Sequence, residues 1–240
     1  MNNTRLCPRI QFTTEYFVNK ENCCYFIFLH TNVALCIGAT AMVATGTTLL
    51  VYFKHICGMF SIASFRIEKA MMTNMLQDIN QEKEILIYKG IIYGIDIHRK
   101  ATEFSQLFMK NFEGSFFFLI VAGMISVSNT LVQVVSINNI EELLLPLLIM
   151  LFLYIYLFIS NYTAQEVMDH NNRVFATVYD VQWYIVPLRI QKMLLFLLQR
   201  GTKAFNLNLG GLFIGSLESA ATLISTSISF FTVLYATRQK

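Results

Sequence analysis

The run SFFFLIVAGMISVSNTLVQVV, Ser115–Val135, holds 21 residues without one charged side chain. As an α-helix it is about 31 Å long, the thickness of a bilayer's hydrocarbon core. Acidic residues close it off on both sides, Glu113 before it and Glu141 after it. Three more runs of this kind surround it. No Asp, Glu, Lys or Arg occurs from Asn22 to Phe53, LLLPLLIMLFLYIYLFIS begins at Leu143, and Ala204 to Thr237 holds only Glu218. The 240 residues are 55% hydrophobic and 14% charged, with a mean hydropathy of +0.52. A soluble domain carries about 25% charged residues. The expected fold is an all-α polytopic membrane helical bundle with four transmembrane helices, A to D.

The boundaries follow from the charges. Residues 1–25 form a tail, 26–53 helix A, 54–113 a helical loop, 114–137 helix B, 138–142 a turn and 143–161 helix C. Residues 162–215 are a second loop with an amphipathic helix at 187–200, 216–237 are helix D and 238–240 the C-terminus. Ser216 is the expected N-cap of D and puts Glu218 in the first turn, where the helix dipole tolerates a carboxylate. Within 20 residues of the span ends, the A–B and C–D loops carry eleven Lys and Arg against four on the other side. The positive-inside rule then places those loops in the cytosol and both termini outside.

The loops have helical patterning. The A–B loop lacks Pro and repeats apolar residues at Ile85, Ile92, Ile95, Phe104, Leu107, Phe108 and Phe112, leading into helix B without a breaker. In the C–D loop, Pro187 is expected at the first helical position, followed by a stripe of Ile190, Met193, Leu194, Leu197 and Leu198. About 13 residues are too few to span, so this helix packs in a cytosolic bundle or lies at the interface.

Chemical motifs are sparse. A net charge of +3 without a basic patch excludes nucleic acid as a partner. Gly210, Gly211 and Gly215 lack the context of a phosphate loop, and neither a nucleophile elbow nor a zinc-protease motif occurs. His98 with Asp96 and Glu103 reads as a solvated helix face, and His55 with Cys57 is a weak metal spacing. No catalytic residue, cofactor or metal is expected, and the chain does not read as an enzyme. Cys7, Cys23 and Cys24 fall outside, where a disulfide is permitted, whereas Cys36 and Cys57 read as free thiols. Asn2 is an accessible glycan acceptor, while Asn161 falls on the cytosolic side.

Helix D has an unusual density of hydroxyls. At 100° per residue Thr222, Thr226, Ser229, Val233 and Thr237 share one face, and Leu223, Phe230 and Leu234 another. Small polar residues let membrane helices approach closely and bond their own backbone. The same face also suits a pore lining in an oligomer, with Val233 as an apolar constriction. Both readings stand at this point.

The segment from Tyr179 to Thr237 resembles the C-terminal signature of insect odorant receptors. Its features are Tyr179 and Trp183 four apart, Pro187, an amphipathic helix closing on Gln199-Arg200, the GGLF turn at Gly210, SLE at Ser216 and SISFFTVL at Ser227. IHRKATEFSQLF from Ile97 is similar to the family's His-containing helix before its fifth span. The resemblance implies a seven-span receptor with its C-terminus outside, in the plasma membrane of sensory neurons, with A to D as spans four to seven and spans one to three preceding residue 1. It implies a non-selective cation channel gated by small volatile hydrophobic odorants, built as a heterotetramer with a co-receptor subunit. The seventh span would line the pore and the cytosolic helices would form the anchor between subunits. Val233 and Thr237 match the family's constricting positions, though Thr237 is polar where relatives often have an apolar residue. Thr226 and Ser229 would line the inner part. Cys36 and Thr40 on A with Met150 and Tyr154 on C are the implied contributors to an odorant pocket. A gustatory-receptor relative and a non-conducting, truncated membrane protein are the alternatives, and a rhodopsin-like receptor requires the opposite orientation.

Overall fold

The computed structural model describes residues 20–72, 81–136, 140–209 and 213–238. They form five helices, α1 (Lys20–Met72), α2 (Gln81–Ser136), α3 (Ile140–Asp180), α4 (Leu188–Gly201) and α5 (Leu217–Arg238), with a two-residue antiparallel pair, β1 (Asn208–Leu209) and β2 (Phe213–Ile214), before α5. Four of the helices are long and apolar enough to cross a membrane. The fold is an all-α polytopic helical bundle. Asn2, Cys7, Gly210 and Gly211 lie outside the described residues.

Helix ends and span ends do not coincide. Three helices run far beyond the apolar segments, so each carries a membrane-length run and a mixed apolar–polar extension. The segment 162–180, expected within a loop, is the last part of α3. Pro187 stands one position earlier than expected. It is the N-cap of α4, at φ −53° and ψ 147°, and its carbonyl accepts from the Ile190 and Gln191 amides at 2.9 and 3.2 Å. Lacking an N–H, proline leaves no orphan donor there.

The chain divides into two compact units, Met1–Val51 and Tyr52–Lys240. In the first, the described part belongs to α1. Its hydroxyls bond inward: Thr31, Thr40, Thr45 and Thr48 each donate to the carbonyl four residues back at 2.7–2.8 Å. That satisfies them in a medium with no water to take their place. Cys24 and Cys36 are free thiols.

In the second unit the large apolar side chains that the helices bury completely include Ile56, Phe60 and Ile67 of α1, Ile87 and Ile91 of α2, Val167, Val174 and Val178 of α3, and Ile190 and Leu194 of α4. All lie outside the apolar runs of the four spans. Within those runs large side chains such as Phe118 are left exposed, in this case at 73%. The hydrophobic effect demands burial only where water is the alternative, and lipid makes no such demand. The tight core therefore forms along the helical extensions.

Two glycines set its geometry. Gly90 and Gly94, one turn apart on α2, face α1 so closely that a Cβ would stand 2.7 Å from Ala70 Cβ and 2.7 Å from Ile67 Cγ1, respectively. Gly201, at the end of α4, closes on the Phe175 ring in the same way.

Candidate functional site

Ser216 caps α5, its Oγ accepting from the Ser219 amide at 3.1 Å. From there the helix has two distinct faces. Ala220, Leu223 and Ser227 are buried; Ser128 of α2 donates to the Met124 carbonyl at 2.8 Å with its Oγ 3.4 Å from the Ser227 carbonyl, while Ser227 Oγ donates to the Leu223 carbonyl at 2.8 Å. Small residues let α2 and α5 approach at this point. About a third of a turn away, at 100° per residue, Thr222, Thr226, Ser229, Val233 and Thr237 are all exposed, Val233 at 60%. Ser227 serves helix packing, and the Thr222–Thr237 stripe is exposed.

The hydroxyls of that stripe are oriented by the backbone. Thr222 donates to the Glu218 carbonyl at 3.0 Å, Thr226 to Thr222 at 2.8 Å, Ser229 to Ser225 at 3.0 Å and Thr237 to Val233 at 3.1 Å. A hydroxyl whose proton is committed inward presents only lone pairs outward. Such a face is acceptor-rich and carries no fixed charge, which suits cations of any kind.

The residues implied for an odorant pocket are split between the two units. Cys36 and Thr40 belong to the first and are exposed, whereas Met150 and Tyr154 belong to the second and are half-buried. A cavity of about 310 Å³ lies elsewhere, lined by Glu68, Met71, Met72, Thr177, Asp180, Val181, Gln182 and Ile185, at the far ends of α1 and α3.

Two histidine readings are corrected by the packing. His98 is no surface residue: it is 5% exposed, its Nε2 lies 3.0 Å from Asn171 Oδ1, and the rings of Phe60 and Phe175 stand 5.5 and 5.2 Å from its own. Burial holds its pKa below the usual imidazole value, the Asn171 hydrogen bond opposing. Asp96 does stay at the surface, where its hydrogen bond to Lys100 lowers its pKa. Periodicity gave the face of α2 but not which part of it α1 and α3 would cover. His55, in turn, does not join Cys57; it meets the Phe104 ring edge-on at 6.0 Å.

Cys57 instead faces α3. Its Sγ and ligand atoms of Glu166 and His170 all lie within 4.8 Å of one another. Lys54 reaches both Glu166 oxygens at 2.7 and 2.6 Å, and Ser61 Oγ lies 3.1 Å from His170 Nδ1. The Glu-x-x-x-His spacing of Glu166 and His170 is readable once helix is assigned to 162–180. Their partner Cys57, more than a hundred residues earlier, leaves no local signal. Asn161 is buried, and its amide donates to the Leu157 carbonyl at 3.0 Å, a setting that no glycan can enter.

Four membrane-length helices with a core outside their apolar runs define a multi-pass membrane protein. The chain belongs to the 7tm odorant receptor family, whose model matches residues 8–228. No curated protein matches it.

Proposed function

We propose that the chain is a subunit of an odorant-gated, non-selective cation channel, assembled with a co-receptor as a heterotetramer in the plasma membrane of sensory neurons, with its C-terminus outside. The observation that carries this reading is the exposed stripe of Thr222, Thr226, Ser229, Val233 and Thr237, set apart from the face of α5 that packs on α2. Copies of that stripe around an axis give a lumen of outward lone pairs interrupted by an apolar ring at Val233. Hydroxyl acceptors replace part of a cation's hydration without selecting its size, and an apolar ring closes by dewetting. The proposed ligands are small, volatile and hydrophobic, the class that a mainly apolar pocket takes.

The α4 region serves as the anchor between subunits. Ile190, Leu194 and Leu197 hold α4 to its own chain, while Phe196 is 76% exposed and available to a neighbour.

Expressing the receptor with a co-receptor and recording odorant-evoked currents tests the proposal. Val233→Trp is expected to cut cation current at least tenfold at unchanged surface expression. An unchanged current removes Val233 from the pore.

A further inference from the structure

We propose that Cys57, Glu166 and His170 form a Zn²⁺ site that clamps α1 to α3. One thiol, one imidazole and one carboxylate are the ligand types of a four-coordinate zinc centre, with water in the remaining position. Calcium and magnesium prefer all-oxygen shells, so the sulfur selects a borderline-soft ion.

The geometry is close to what such an ion needs. At metal–ligand distances of about 2.0–2.3 Å, the donor atoms of a tetrahedron stand roughly 3.3–3.8 Å apart. Here they lie within 4.8 Å of one another. Closing about 1 Å is within reach of side-chain torsions, because Glu166 and His170 stand one helical turn apart on the same face of α3. Cys57 is buried and cannot turn to solvent.

The surroundings fit as well. Ligating histidines generally donate their second ring N–H to an oxygen, which fixes the tautomer. Ser61 Oγ, 3.1 Å from Nδ1, supplies that oxygen and leaves the Nε2 lone pair facing Glu166, whose Oε1 is 4.0 Å away. Lys54 occupies the Glu166 carboxylate. Its side chain is 58% exposed, so it can swing into water when the ion arrives. Ligation takes Cys57 as the thiolate and releases its proton to water.

The test is a Co²⁺ titration of the intact, chelator-stripped chain in detergent micelles, followed by Zn²⁺ competition. One equivalent of Co²⁺ is expected to produce a thiolate-to-cobalt charge-transfer band in the near ultraviolet, and Zn²⁺ to bleach it. Cys57→Ser abolishes the band with the helical circular dichroism unchanged. Ser61→Ala weakens apparent affinity about tenfold, the usual loss when a ligand's supporting hydrogen bond is removed. Lys54→Met removes the competitor for Glu166 and tightens binding about two- to fivefold; a gain of affinity cannot arise from misfolding. A folded chain with no band at one equivalent, a band that survives Cys57→Ser, or Lys54→Met binding no tighter than the parent overturns the proposal.

Discussion

Nε2 of His98 lies 3.0 Å from Oδ1 of Asn171, joining α2 to α3 inside a shell that includes Phe60 and Phe175. The imidazole is buried and neutral, its pKa lowered chiefly by desolvation. The unfolded chain binds a proton at the ordinary histidine value of about 6.5, before the folded chain does. Stability is therefore complete above that pH, falls as pH drops below it, and levels off beneath the lowered native value. Thermal unfolding in detergent between pH 7.5 and 5.5 is expected to show this decline, and His98→Gln to flatten it.

Removing the partner is a separate experiment. Asn171→Ala leaves the buried His98 nitrogen without its acceptor, at a cost of about 1–3 kcal/mol. Fluorescence-detected size-exclusion thermostability at pH 7.5 measures it, where protonation plays no part.

Gly90 and Gly94 set the spacing of α1 and α2. Gly90→Ala brings a methyl to 2.7 Å from Ala70 Cβ, and the helices must separate. Overpacking of this kind costs about 1–3 kcal/mol. Gly58, on α1, has nothing within 4 Å of its would-be Cβ, so Gly58→Ala is expected to stabilise by about 0.5–1 kcal/mol through helix propensity. The opposite signs of the two melting shifts check the geometry.

On α4, Leu194 and Phe196 separate folding from assembly. Leu194 is fully buried, and Leu194→Ala is expected to cost about 2–5 kcal/mol of subunit stability. Phe196 is exposed, and Phe196→Ala is expected to leave the isolated chain's stability within about 0.5 kcal/mol of the parent. If α4 is the anchor, the same change lowers co-purification with the co-receptor.

The two faces of α5 respond differently. Val233→Ser makes the exposed stripe wettable along its length and is expected to raise odorant-independent current. Ser227→Leu overfills the contact with Ser128 and is expected to lower thermal stability by about 1–3 kcal/mol. Basal current and melting temperature, measured on both variants, distinguish a pore face from a packing face.

Much of the fold was legible along the chain. Runs such as Ser115–Val135 announce spans because transfer to lipid sums residue by residue, independently of what else the chain does. The stripe Ile190, Leu194, Leu197 announced α4 because an amphipathic pattern in water has to be covered by something. Thr226, Ser229, Val233 and Thr237 shared a face by spacing alone. His98 was misplaced because its neighbours Asp96 and Glu103 are charged. The spacing of 98 with 91, 101 and 105, all buried, marks the inner face of α2, but a single polar side chain breaks an apolar pattern when read without its partner Asn171.

The sequence by itself determined the all-α membrane architecture, the number of spans and the grouping of hydroxyls on the last helix, since each depends on local composition and a helical period. Only the tertiary structure decided that α5 spends Ser227 on α2 and leaves Val233 outside, that Gly90 and Gly94 seat Ala70 and Ile67, and that Cys57 meets Glu166 and His170. Those pairings depend on where helices cross, and a crossing is fixed by the fit of whole surfaces rather than by any stretch read alone.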